Sequence, residues 1–66
     1  MSVAKVIEIS SSSATSFDDA VKEGIARASQ TVKNIQGAWI QDQQVVVSNG
    51  QVTEYRVMMK VTFILE

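Results

Sequence analysis

Few side chains in this 66-residue chain could do chemistry, and their types favour binding over turnover. Histidine and cysteine are both missing, so general acid or base work would fall to a carboxylate or a lysine. The serines at 10–13 would lack their usual partner for nucleophilic attack. Asp18 and Asp19 are adjacent, which on a helix points their side chains about 100° apart and suits helix capping rather than a paired-carboxylate site. Three scattered glycines do not make a phosphate loop. The same composition removes disulfides and thiolate or imidazole metal sites, leaving only oxygen ligands for a hard cation. These readings exclude the common enzyme classes.

The informative residue is the single tryptophan. Trp39 stands in GAWIQDQQVVV, residues 37–47, among glutamines and an aspartate and just before three valines. An indole beside Gln41, Gln43, Arg56, Met58 and Lys60 suits two roles: packing at an oligomer interface, or a flat surface for a planar ligand with polar neighbours to orient it. Tryptophan is enriched at interfaces with or without a ligand, which favours the first.

The elements that must place Trp39 follow from periodicity. Residues 3–9 are rich in β-branched side chains and predict a first strand, ended by the serines, which compete for local backbone hydrogen bonds. Ser16 is an N-cap with Asp18 and Asp19 at the positive end of the helix dipole. From Phe17 the apolar spacing changes to the helical period, through Ala20, Val21, Gly24, Ile25, Ala28 and Val32. Gly24 costs roughly 1 kcal/mol of helix propensity relative to alanine, a cost consistent with close approach to a sheet. Asp18 with Lys22, and Glu23 with Arg27, form i,i+4 pairs on a solvated face. The helix exits at Asn34 and Gly37.

Two long extended runs, Ala38 to Val47 and Val52 to Leu65, flank Asn49-Gly50, the dipeptide best suited to a type I′ hairpin turn. A regular ladder from that turn pairs positions summing to 99. Tyr55, Val57, Met59, Val61, Phe63 and Leu65 then face the helix, joined by Ala38, Ile40 and Val46. The opposite face holds Trp39, Gln41, Gln43, Val45 and Val47 with Val52, Glu54, Arg56, Met58, Lys60 and Ile64. One helix cannot cover both sides of the sheet. A lone core in so short a chain supplies only roughly 3–5 kcal/mol, and without disulfides or zinc the remaining reinforcement is self-association.

The order strand, helix, long hairpin, with KVIEI (5–9), SFDDAVKEGIARASQTVKNI (16–35) and YRVMMKVTFILE (55–66), resembles the dodecin family over nearly all 66 residues. The helix segment with ARA and the closing KVTF are its more specific parts. The resemblance implies one α+β domain, residues 1–66, of β-α-β-β order, with a three-stranded antiparallel sheet wrapped around one helix. It further implies a homododecamer forming a hollow shell that stores or sequesters a flavin, such as FMN, riboflavin or a lumichrome-like ring, and is not an enzyme. Trp39, Gln41, Gln43, Arg56 and Met58 are the cofactor-binding candidates.

Aligned with flavin-binding dodecins, the stacking indole falls at Gly37 and the pyrimidine-binding glutamine at Arg56. Trp39 lies two positions on, roughly 6.6 Å along a strand. Ile64 takes the place of a basic residue often found near the flavin phosphate. Arg56 and the missing early indole resemble instead the calcium dodecins, for which Asp42 and Glu54 are candidate oxygen ligands. A net charge of −1 with six basic and seven acidic residues offers no footprint for nucleic acid or an anionic membrane, and no 18-residue apolar run is present. A cytoplasmic protein is the corresponding expectation.

Overall fold

A computed structural model describes residues 3–65. Its elements run β1 (Val3–Ser13), α1 (Phe17–Ala28), β2 (Ile35–Ser48) and β3 (Gln51–Leu65). The sheet order is β1-β3-β2 and both pairings are antiparallel, so β3 is central and β1 and β2 are edges. This is the predicted β-α-β-β arrangement.

The first strand is longer than expected. The four serines do not end it: Ser10, Ser11, Ser12 and Ser13 pair with Met58, Val57, Arg56 and Tyr55 of β3. A continuous partner ladder outweighs their preference for local bonds, because the inward hydroxyls find partners on the helix. Ser11 Oγ donates to the Ala20 carbonyl at 2.7 Å, and Ser13 Oγ donates to Asp19 Oδ2 at 2.7 Å. The helix is shorter than expected and ends before Val32. Ser29 Oγ returns to the Ile25 carbonyl at 2.8 Å, and Asn34 turns the chain at φ 64.

The predicted cap is in place. Ser16 Oγ accepts the Asp19 N–H at 3.0 Å, with acidic residues in the first turn and Arg27 in the last. Neither predicted helix ion pair closes; among the described residues the salt bridge is Arg56 with Glu54 at 3.3 Å.

The core lies between α1, β1 and β3. Ala20, Met59 and Val61 are 0% exposed and Val57 almost as deeply buried, with Ile7, Ile9, Phe17, Val21, Ile25 and Ile35 packed around them. Each large side chain removed from water contributes roughly 1.5–3 kcal/mol. Gly24 lets the helix come close: a Cβ there would stand 2.7 Å from Met59 Cε and 2.9 Å from Ser11 Cβ. Phe17 meets Tyr55 edge-on, ring centroids 5.1 Å apart.

Asn49 and Gly50 take φ of 52 and 74, the positive values a type I′ turn requires. The ladder beyond it is not regular. Register shifts fall between Val46 and Val47, Ile40 and Asp42, and Ile35 and Gly37, leaving Thr53, Gln41 and Gln36 without cross-strand partners. Consequently Gln43 pairs with Val57 and Val45 with Tyr55, on the helix side, while Val46 pairs with Glu54 on the other. This reverses the expected faces of all three. Four consecutive polar residues, Gln41 to Gln44, carry no alternation that could hold a regular register.

Candidate functional site

The face turned away from the helix is built in rows across the sheet, because directly paired residues share a face. Glu8, Lys60 and Trp39 form one row; Ser10, Met58 and Asp42 the next; Ser12, Arg56 and Gln44 the third. The bulge at Gln41 makes this possible. It puts Trp39 and Asp42, three residues apart, on one side of the sheet, where an unbroken strand would oppose them.

The second and third rows border a hollow of about 480 Å³, reached also by Ser11, Gln43 and Val57. That volume lies in the usual range for small-molecule sites, roughly 300–1,000 Å³. Met58 gives it an apolar floor and Arg56 a guanidinium. Trp39, one row off, is 52% exposed. Of the five predicted binding residues, Trp39, Arg56 and Met58 therefore share a face. Gln43 reaches the hollow from a helix-side position, and Gln41 is the bulged residue outside the ladder. Ser10, Ser12 and Gln44 went unrecognised; their signal is polarity on positions facing away from the helix.

Glu54 is held in its ionised form. The Ser12 hydroxyl beside it, and then the Arg56 guanidinium, keep its carboxyl below the ordinary value of 4.5. Arg56 uses Nε for this contact. Its two terminal amino groups have no hydrogen bond to another described residue.

For the two ligand classes the residues give different answers. A Cβ placed at Gly37 would meet nothing within 4 Å, so an indole there is neither present nor obstructed. Trp39 offers a ring face two positions away, with Lys60 directly across from it, which suits a flat molecule with acceptor groups. Calcium fits one protomer poorly. Among the described residues no three acidic groups converge, Glu54 is engaged by Arg56, and calcium needs six to eight oxygens.

A family model for dodecin matches residues 3–66. The chain belongs to the dodecin family. Calcium dodecin of Mycobacterium tuberculosis is 36% identical over 63 residues, covering 96% of this chain and 89% of that protein. Its crystal structure, described as that of a calcium-chelating antigen with a novel calcium-binding site, superposes with a TM-score of 0.84 at 34% identity, over 97% of this chain and 91% of that one. A dodecin from Streptomyces davaonensis gives a TM-score of 0.95 at 32% identity, over 98% and 96% of the two chains. An arginine-to-alanine variant of the Thermus thermophilus dodecin gives 0.95 at 26% identity, over 100% and 98%. The fold is thus that of the family throughout the described residues. No helix among the described residues is long and apolar enough to cross a membrane.

Proposed function

We propose that this dodecin is a non-enzymatic binding and storage protein, one domain over residues 1–66, that assembles into a hollow homododecamer in the cytoplasm and sequesters a planar aromatic ligand of flavin type between subunits. The observation that carries the reading is β2. Nearly all of its 14 residues are exposed, including Trp39, Ile40, Val45 and Val47, although the strand is fully formed. Exposed apolar surface of this extent on a small domain marks an interaction site. Membership of the dodecin family supports further copies of the chain as the partner. Trp39, Arg56 and Met58 then lie where one copy meets another.

Native mass spectrometry tests assembly and ligand together. The expected result is twelve times the 7.2 kDa protomer, with bound small molecule retained. Titration with riboflavin or FMN is expected to quench flavin fluorescence, and Trp39→Ala to abolish the quench. Unchanged fluorescence at micromolar protein removes the flavin reading.

A second reading, a flavin-free shell associated with calcium, is favoured by the 36% identity to a calcium dodecin. Its cation site would draw carboxylates from several copies, since one protomer does not assemble them. Calcium-dependent elevation of the melting temperature, absent with magnesium, is its signature.

A further inference from the structure

We infer that the hollow on the outer face selects anionic rings, with Arg56 capturing a carboxylate or an equivalent negatively charged edge. The inference rests on the proposal that the assembly binds planar ligands, and names which of them it prefers.

Arg56 is a donor-only group, unable to accept a hydrogen bond from a neutral ring N–H. Its Nε donates to Glu54 Oε1 at 3.3 Å, and its pair of terminal amino groups carries no hydrogen bond to another described residue, which leaves them for a second acceptor. Two parallel N–H groups match a carboxylate edge, and charge-assisted bonds of this kind are roughly twice as strong as neutral ones. Ser12 and Gln44 flank Arg56 in the same row; the Ser12 hydroxyl is turned to Glu54, and the Gln44 amide supplies a further donor. The Met58 side chain in the next row gives the apolar surface over which the ring would lie.

Asp42 constrains the orientation. It stands beside Met58, one row from Arg56, and so about 7 Å along the strand. A second negative group at that end of the ligand would be repelled. With Glu54 on the Nε side of Arg56 and Asp42 one row away, the ligand has room for a single negative group, held on the terminal amino groups of Arg56, and the ring extends past Met58 toward Trp39.

The test uses the full-length assembly and two fluorescent tricyclic probes of equal shape, anthracene-2-carboxylate and anthracene-2-carboxamide. Binding is read by the anisotropy of the probe, alongside a riboflavin titration. The carboxylate is expected to bind at least about tenfold tighter than the amide, a gap that narrows with added salt. Arg56→Gln, checked by native mass for intact assembly, is expected to bring the affinities for the two probes together, and Arg56→Lys to restore part of the difference. Equal affinity for the two probes, or a preference that survives Arg56→Gln, overturns the inference while the planar-ligand reading stands. Absence of binding by both probes and by riboflavin overturns both.

Discussion

The two edge strands of the sheet face opposite circumstances. β1 is backed by the helix through Gly24, Ser11 and Ser13, and its inward hydroxyls are spent on the helix backbone and its first turn. β2 is paired with β3 along its whole length but for its bulges, and has almost no cover on either side. Hydrogen bonding alone therefore does not distinguish a finished strand from an unfinished one. What differs is the apolar surface: the inward face of β1 from Ile7 onward is covered by the helix, although Val3 and Val6 stay exposed, whereas β2 carries valines, an isoleucine and an indole in contact with water along its length. A sheet edge of that kind is a template for association unless something occupies it.

The strongest way to break this contrast is to damage the closed side. Met59→Ala empties the centre of the core and is expected to cost about 2–5 kcal/mol, measured as a fall in the urea midpoint with an unchanged slope. On the open side, Trp39→Ala is expected to act on assembly instead. A buried interfacial tryptophan commonly carries about 2 kcal/mol or more, so the mass distribution shifts toward small species at a given protein concentration while far-ultraviolet dichroism stays native-like. A variant that remains fully assembled, with unchanged dissociation on dilution, would place Trp39 outside the contact.

Gly24→Ala sharpens the comparison, because propensity and packing make opposite forecasts. The helix alone would gain roughly 1 kcal/mol. The added methyl, however, must displace Ser11 Cβ and Met59 Cε, and overpacking of this sort costs about 1–3 kcal/mol. Net destabilisation is expected; a raised melting temperature would show that the helix can slide away from β1. The smallest effect is expected at Glu54. Its folded pKa is lowered, so its contribution is present above the unfolded value and is lost as pH falls through the folded one. The wild type is expected to lose slightly more stability than Glu54→Gln between pH 6 and pH 3. An identical slope for both would mean that Ser12 and Arg56 leave the carboxyl unassisted.

Much of the fold was legible in residue order. The Ser16 cap, the change of period at Phe17, the Asn49-Gly50 turn and the buried Val57, Met59 and Val61 of β3 each rest on local chemistry, and each is where it was expected, while Leu65 at the end of that inward row is exposed. Gly24 was readable as a place of close approach. Ala38, Trp39, Ile40 and Val47 of β2 keep the expected faces, whereas those of Gln43, Val45 and Val46 were not readable, because unpaired residues such as Thr53 and Gln41 are set by the fit of the two strands and leave only a weak trace in the sequence. The unpaired Thr53 of β3 exchanged Gln43 for Gln44 beside Arg56, and with it part of the site, before the bulge at Gln41 restored the register of the turn. The serines of β1 misled for the opposite reason: their local preference was real but their partners lay on the helix, distant in sequence.

The three unpaired residues of the hairpin have a geometric outcome. Gln36 and Gln41 lengthen β2, Thr53 lengthens β3, and each mismatch bends the ribbon and increases its twist. Flat ribbons laid edge to edge continue indefinitely, as in fibres, whereas ribbons that turn a corner at every repeat can meet themselves again and terminate growth. Those few surplus residues would then decide whether copies of this chain enclose a finite space or keep adding.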